Sequence, residues 1–442
     1  MNPAPSVSNF PPAKQANFAL ALLLLAYIFS FIDRQILSLL VEPMKQDLQI
    51  SDFQVSLLQG MAFALFYTFM GLPIAWLADH SSRRRIIAVG ITLWSVMTCF
   101  CGLAKSYSSL FMARVGVGVG EAALSPAAYS MLSDYYPPAR LPRAMAIFTM
   151  GITLGGGMAY LIGGTVIALV ADADTITLPL IGNIRPWQAT FIAVGLPGLL
   201  VALLMLSIKE PARQITASHA EADKVSMSAT LQFVIRHKRG LGAHFVGVSL
   251  LSIFGYGLMS WYPTLFVRNY GVSIAEVGQR FGLIYLVFGS LGALAGAWCA
   301  QSLAGRGHSD ANLRWVMWSA LLVAIPAAIA PLLPSAMLLY WFAIPLVLLQ
   351  NSYFGVAIAA LQLATPNRMR ASVSALLLFM TNLLGLGLGP SLVAALTDFV
   401  FQDPQALRYS LSIVAIIVCP LAALVLAMGL KHYRAMLQAL VD

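Results

Sequence analysis

Charge is what this chain has least of. Only 10% of its 442 residues are Asp, Glu, Lys or Arg, while 59% are hydrophobic and the mean hydropathy is +0.81. Soluble domains carry roughly 25% charged residues, so a water-soluble fold is excluded and an integral membrane protein is expected. Cysteine is also scarce. Cys99, Cys101, Cys299 and Cys419 each sit in an apolar run, with neither a disulfide framework nor metal-site spacing. There is no Gly-x-Ser-x-Gly, no His/Cys/Asp cluster and no Gly-x-x-x-x-Gly-Lys-Ser loop. Nothing therefore points to an enzyme, to a metal or other cofactor, or to transport driven by ATP. A channel would repeat a polar ring in both halves; here the buried charge is lopsided. The net charge of +9 does not imply nucleic acid, because the basic residues fall in short clusters between apolar runs, which is a topology signal.

What the chain has is long apolar runs. A membrane-spanning helix needs about 20 such residues. Twelve runs qualify: Phe18–Val41, Phe53–Leu77, Ile86–Ala104, Ser109–Leu132, Ala144–Val170, Trp187–Ile208, Leu241–Phe266, Val277–Ala304, Trp315–Leu333, Met337–Leu363, Ala371–Leu396 and Leu407–Leu430. No small-residue cleavage site follows the first run, so it is expected to stay as a helix. The one long polar segment, Lys209 to Gly240, falls in the middle. The expected organisation is an N-terminal six-helix bundle over 1–208, a cytoplasmic linker over 209–240 and a C-terminal six-helix bundle over 241–442. With both termini in the cytoplasm, inner segments hold 18 Lys and Arg and outer loops five. That bias gives a multi-pass protein of the cell membrane, both termini inside, and a monomer is the expectation.

An internal repeat supports two halves. Ala75-Trp76-Leu77-Ala78-Asp79 ends span 2, and Ala297-Trp298-Cys299-Ala300-Gln301 ends span 8, an offset of 222 residues at which Arg84 also matches Arg306. Spans 5 and 11 are both glycine-rich. Parallel six-span halves related by a pseudo-two-fold axis along the membrane normal, with a site near the midplane between them, form a transporter architecture.

Twelve spans, a central polar segment and a basic loop between spans 2 and 3 resemble the major facilitator superfamily. Its signature loop, about G-x-L-[AG]-D-[RK]-x-G-[RK]-[RK], is matched by Leu77, Asp79, Arg83 and Arg84, with departures at Ala75, His80 and Ser82. A narrower resemblance is to the spinster-like branch. It rests on Phe31-Ile32-Asp33-Arg34 in span 1, on Arg114-Val115-Gly116-Val117-Gly118-Val119-Gly120-Glu121-Ala122 in span 4, and on Trp261-Tyr262-Pro263 in span 7. The resemblance implies transport of lysolipids or sphingoid phosphates, and proton linkage as in bacterial members. It also implies that Asp79, with Arg83, Arg84 and Asp134, latches the cytoplasmic side shut when the outer side is open. The alternative for the basic cluster is that it only sets topology.

Four residues carry nearly all the charge inside the apolar spans: Asp33, Arg34, Arg114 and Glu121. Ionisable groups at such depth are costly and mark function by default. Arg114 and Glu121 are seven apart and share a helix face. Asp33 and Arg34 are adjacent and point about 100° apart, so both cannot face one cavity. The expected arrangement has Arg34 reaching Glu121, with Asp33 turned to other N-terminal groups, Arg114 among them. Asp33 and Glu121 are then candidate proton-coupling groups. Arg34 is their movable counter-ion and a ligand for a phosphate or carboxylate, and Arg114 is a second counter-ion or a packing anchor. The bland reading is two static ion pairs.

The C-terminal half offers neutral groups only: Gln350, Asn351 and Asn382, with Tyr256, Trp261, Tyr353 and Phe379 as aromatic lining. The two asparagines suit either substrate or a neighbouring helix. A charged half facing an apolar half suits an anionic amphiphile carried with protons from the bilayer. A small water-soluble organic anion is the alternative, and a receptor on the same scaffold a remote one.

Overall fold

The computed structural model describes residues 10–170, 173, 175–178, 182–213 and 227–439. Lys224 of the expected linker lies outside the described residues, as do the side chains of Asp79, Met227, Asn367 and Ala371. The apolar runs fold as helices because lipid offers no partner to backbone N–H and C=O groups, which must be satisfied within the segment. Among the described residues, eleven helical stretches are long and apolar enough to cross a membrane. In the N-terminal half these are α1 (Ala13–Leu39), α2 (Asp52–Ala78), α3 (Arg83–Cys101), α5 (Leu141–Val170) and α6 (Pro186–Met205). In the C-terminal half they are α7 (Lys238–Tyr270), α8 (Ile274–Gly305), α9 (Ala311–Leu332), α10 (Ala336–Leu363), α11 (Ser372–Phe401) and α12 (Pro404–Gln438). The remaining expected span, α4, is a broken helix, Tyr107–Glu121 followed by Leu124–Tyr135. Each piece alone is too short to cross. Three additions escaped the sequence: a short helix over Val41–Leu48 between α1 and α2, a two-stranded hairpin pairing Ile176–Leu178 with Gly182–Ile184, and a short helix over Met227–Arg236 before α7.

Helix boundaries follow local chemistry. Ser51 caps α2 and Ser106 caps α4, each in a reciprocal capping box, with Gln54 and Ser109. Ser82, Ser273 and Ser335 accept the N–H three residues on, at the starts of α3, α8 and α10. Gly271, at φ 65°, closes α7, and the Val272 N–H returns to the Phe266 carbonyl, the glycine stop expected of a left-handed C′ position.

Two six-helix bundles result, related by a pseudo-two-fold axis along the membrane normal. In the N-terminal bundle α1 packs on α5, α3 on α6 and α2 on α4. In the C-terminal bundle α7 packs on α11 and α12, α9 on α12, and α8 on α10. The bundles meet chiefly through α5 against α8 and α2 against α11. Gly164 and Gly278 make the first contact possible: a Cβ on Gly278 would stand 2.5 Å from the Tyr160 carbonyl oxygen. At the second, a Cβ on Gly60 would meet the Leu386 carbonyl oxygen at 2.4 Å. Small residues let helix backbones approach in lipid, where packing drives association.

Both described ends of the chain lie on one face, termed terminal, because the number of crossings is even. The bundles are locked together at the opposite, distal face. Arg268 at the end of α7 donates to Asp52 Oδ2 at 2.6 Å and Oδ1 at 2.8 Å, to Glu42 Oε1 at 2.8 Å and to the Pro404 carbonyl at 3.1 Å. Lys45 also pairs with Asp52. Just inside, the Phe53 N–H donates to Asp398 Oδ2 at 2.6 Å, Ser56 Oγ meets Ser391 Oγ at 3.1 Å, and Gln59 Nε2 donates to the Ser260 carbonyl at 3.2 Å. Arg280, in the second turn of α8, is exposed and pairs with Glu276 at 3.1 Å.

Candidate functional site

The chemistry concentrates where α1 passes the break in α4. Glu121 is the last residue of the first helical piece of α4. Glycines bring this piece close to its neighbours: a Cβ on Gly118 would stand 2.7 Å from the Phe63 carbonyl oxygen, and one on Gly120 2.6 Å from Trp94 N. Arg34 Nη2 donates to Glu121 Oε2 at 2.7 Å, and Ser30 Oγ donates to the same oxygen at 2.7 Å. Glu121 Oε1 and Arg34 Nε are buried without hydrogen-bond partners. The guanidinium lies 4.7 Å from the ring centre of Phe31, 4.4 Å from Phe63 and 5.1 Å from Tyr67, a cage of π-faces suited to a cation. Tyr256 of α7 reaches toward Arg34 from the other bundle. Arg34 thus sits at the junction between the two halves.

Asp33 turns the other way, into the N-terminal bundle. It is 1% exposed and neither carboxylate oxygen has a hydrogen-bond partner. Trp94 and Thr98 of α3 lie beside it, yet Trp94 Nε1 and Thr98 Oγ1 are themselves unpartnered. Arg114, fully buried, does not form an ion pair with the Asp33 carboxylate. It donates to backbone carbonyls, from Nη1 to Asp33 O at 3.2 Å and from Nε to Leu58 O at 3.3 Å. It therefore ties α4 to the ends of α1 and α2, with its charge held near both acids.

The C-terminal bundle also contains a broken helix at the position corresponding to α4. α10 is interrupted between Asn351 and Phe354, as α4 is between Glu121 and Leu124, and the two are the fourth helices of their halves. Interrupted helices at corresponding positions are the strongest pointer to a transporter's central site. Asn351, at this break, donates to the Val347 carbonyl at 2.8 Å. Gln350 is half-buried with Oε1 unpartnered. Asn382 and Phe379 are half-buried on α11, and Phe379 meets Phe69 of α2 edge-on at 5.9 Å. Two of the aromatic residues expected to line a cavity have polar partners within the C-terminal bundle. Trp261 is fully buried and donates from Nε1 to the Pro390 carbonyl at 2.9 Å, fastening α7 to α11. Tyr353 is 5% exposed and its hydroxyl lies 3.4 Å from Ser252 Oγ. Their large apolar bodies and single polar handles were satisfied inside the bundle.

At the terminal face Arg83 is the hub. It is 1% exposed, pairs with Asp134, and donates to Glu210 Oε1 at 3.0 Å, to Ser130 Oγ at 2.9 Å and to the Pro211 carbonyl at 3.1 Å. Arg84 donates to the Leu206 and Ile208 carbonyls at 3.2 and 2.9 Å. All these bonds stay within the N-terminal bundle and the residues just after it. Burial alone would push the Glu210 carboxyl up, but the Arg84 N–H, the Arg83 guanidinium and the Ser82 hydroxyl hold it below its ordinary value. Asp79, expected in the same latch, is at the end of α2 with its side chain outside the described residues.

Sequence reasoning missed Ser30, Phe63 and Tyr67 around the Arg34–Glu121 pair, and the distal set of Glu42, Asp52 and Arg268. A serine one turn before Arg34 was a signal for the first. For the second, the lone arginine after span 7 was counted only as topology, and the two acids flanking one short loop were not weighed.

A family model described as Major Facilitator Superfamily matches residues 23–390. An MFS-type efflux pump of Mycolicibacterium smegmatis is 29% identical over 394 residues, spanning 88% of this chain and 86% of the pump. A hexuronate transporter of Bacillus subtilis is 24% identical over 283 residues, 63% of each chain. The crystal structure of a bacterial homologue of the human lysosomal transporter Spinster, in an inward-facing and occupied conformation, matches with a TM-score of 0.76 at 26% identity, covering 97% of this chain and 98% of that one.

Proposed function

The chain belongs to the Major Facilitator Superfamily, and on that premise we propose that it couples proton movement to transport of an anionic amphiphile, such as a lysolipid or sphingoid phosphate, by alternating access. The observation that carries this reading is the Arg34–Glu121 pair, 2.7 Å apart, at the junction where Tyr256 of the opposite bundle approaches. Arg34 is the movable element. When it turns to an anionic headgroup, which its planar fork suits, Glu121 loses its counter-ion and takes a proton. Asp33 is the second proton carrier. Its carboxylate is fully buried and unpartnered, a position in which the charged form is uncompensated. Arg114 stands near both acids and supplies positive charge to them whichever way Arg34 turns.

Residues 1–208 and 241–442 are the two moving bodies. With both termini in the cytoplasm, a locked distal face makes this conformation inward-facing. Asp79, Arg83, Arg84 and Asp134 then act in the opposite conformation as the cytoplasmic latch. The neutral walls offered by Gln350, Asn351, Asn382, Tyr256 and Phe379 suit the less polar part of the substrate.

A small water-soluble organic anion is the second reading, supported by the likeness to a hexuronate transporter. Flux measured in proteoliposomes under an imposed pH gradient tests the coupling. Glu121→Gln and Asp33→Asn should bind substrate yet lose the pH dependence of transport; unchanged pH-driven flux in both would refute the switch. Thermal stabilisation against lysophospholipids, sphingoid phosphates and hexuronates separates the substrates, and a response confined to soluble acids would sink the amphiphile.

A further inference from the structure

A groove opens on the outside of the C-terminal bundle, away from the Arg34–Glu121 site, where the start of α7 meets the end of α12. It is a cavity of about 320 Å³ lined by Lys238, Arg239, Gly242, Ala243 and Val246 of α7 and by Val425, Met428 and His432 of α12. The two helices run in opposite directions, so the lining is ordered by depth. Lys238, Arg239 and His432 form the rim at the terminal face. Val246 and Val425 lie deeper, about 12 Å below Lys238 by helical rise. Val246 and Met428 are 45% and 60% exposed, on a flank that a bilayer would cover.

Local sequence creates this shape. α7 begins with a wide turn over Lys238–Gly242. Gly240 and Gly429 let the helices touch: a Cβ on Gly429 would stand 2.7 Å from Ala243 Cβ. Gly242, two residues on from Gly240, has little in front of it, with only Lys238 Cβ at 3.9 Å, so the gap stays open beside the contact. No acidic side chain lines it. Asp310, the acid that pairs with Arg434 on α12, is already engaged by Arg314 at 2.9 Å. His432 Nδ1 is buried and has no hydrogen-bond partner.

We propose that this groove is a binding site for an anionic phospholipid of the surrounding bilayer, its phosphate held by Lys238, Arg239 and His432 and its upper acyl chain lying along Val246, Val425 and Met428. Charge complementarity selects the occupant: two cations and an unpartnered imidazole nitrogen crown an apolar slot at headgroup depth, the arrangement that basic pockets between membrane helices use for acidic lipids. A transported substrate is not required, so the proposal stands apart from the transport reading.

The test uses the full-length protein, delipidated and placed in nanodiscs of phosphatidylcholine with or without phosphatidylglycerol. Retained lipid is counted by native mass spectrometry and stability by thermal melting. Phosphatidylglycerol should be retained and should raise the melting temperature; phosphatidylcholine should do neither. Losing two surface cations weakens acidic-lipid binding on the order of 30-fold, so the Lys238→Gln/Arg239→Gln double variant should lose the retained lipid. Gly242→Leu, which fills the floor and keeps the charges, should lose it too, while Lys431→Gln, a neighbour outside the lining, should keep it. The proposal is overturned if both groove variants retain phosphatidylglycerol as the parent does, or if phosphatidylcholine is held equally. It is likewise overturned if glycerol 3-phosphate alone reproduces the stabilisation, or if the groove is covered by a second copy in a stable dimer.

Discussion

Removing Arg268 should open the distal face. Its guanidinium is 4% exposed, bonds both oxygens of a fully buried Asp52, and holds Glu42, whose side chain is 24% exposed. Breaking a buried ion pair by deleting one partner costs about 3–5 kcal/mol, because the other charge is left uncompensated. Here the low end applies. Lys45 remains beside Asp52, and water can reach Glu42. A loss of about 3 kcal/mol borne by the closed state alone shifts the ratio of distal-open to distal-closed molecules roughly 100-fold. Ser391 reports this shift, since its hydroxyl is buried against Ser56 at 3.1 Å and becomes reachable only when the bundles part. The assay is labelling of a Ser391→Cys variant by an impermeant maleimide added from the distal side, with Cys99 and Cys299, the half-exposed natural cysteines, changed to serine. Arg268→Ala should accelerate labelling strongly, and Arg268→Lys should accelerate it less. Labelling at the parental rate in a folded Arg268→Ala protein would refute the assignment of this cluster as the distal lock, and would mean that the other contacts between the bundles keep the face closed.

Two further outcomes follow from the packing and from the terminal face. Gly278→Val drives a side chain into the Tyr160 carbonyl at 2.5 Å, backbone that cannot yield; overpacking of this kind costs about 1–3 kcal/mol or more. Thermal melting should fall clearly for Gly278→Val and hardly at all for Gly305→Val, where nothing lies within 4 Å; equal melting for the two would count against the glycine contact. Glu210 has a lower proton affinity folded than unfolded, so the unfolded chain binds more protons and stability rises with pH. Its contribution is complete above the ordinary glutamate value of about 4.3 and disappears as pH falls through its lowered value. Acidification from pH 7 should therefore erode the melting temperature of the parent more than that of Glu210→Gln, modestly because the carboxylate is partly solvated; parallel curves would show that its partners contribute nothing.

The span pattern was legible because apolar length alone dictates helices in a membrane. α8, expected over Val277–Ala304, runs Ile274–Gly305. α4 was not legible as a broken helix. Its apolar content is continuous, and the break at Ala122 and Ala123 follows the glycines that pack closely on α2 and α3, a tertiary contact that one sequence does not display. The four buried charges stood out because the hydrocarbon region makes each one conspicuous. Where each pointed did not: Arg114 went to the Asp33 carbonyl rather than its carboxylate, since backbone acceptors freed near the end of α1 compete with side chains for the same guanidinium. Trp261 and Tyr353 read as lining because aromatics suit cavities and helix interfaces equally, and only the tertiary partner decides between them. Arg268 was hidden for the opposite reason. A lone arginine at the end of a span is ordinarily a solvated residue, and its value here comes from two acids 216 and 226 positions away.

The pairing of broken helices bears on why the charge is lopsided. α4 and α10 occupy the same place in their halves, and each breaks beside a polar residue, Glu121 in one and Asn351 in the other. An acid at both breaks would place like charges across one junction, where Arg34 could neutralise only one at a time; the second would stay uncompensated at a cost of several kcal/mol. With an amide at the second break, the C-terminal wall keeps the same charge whichever way the bundles rock. On the proposed mechanism, the state-dependent electrostatics of the central site then fall on Arg34 and the two acids of the N-terminal bundle. Installing Asn351→Asp tests that division directly. It should capture Arg34 in competition with Glu121 and alter the pH dependence of flux, whereas an unchanged profile would mean that Arg34 does not reach across the junction.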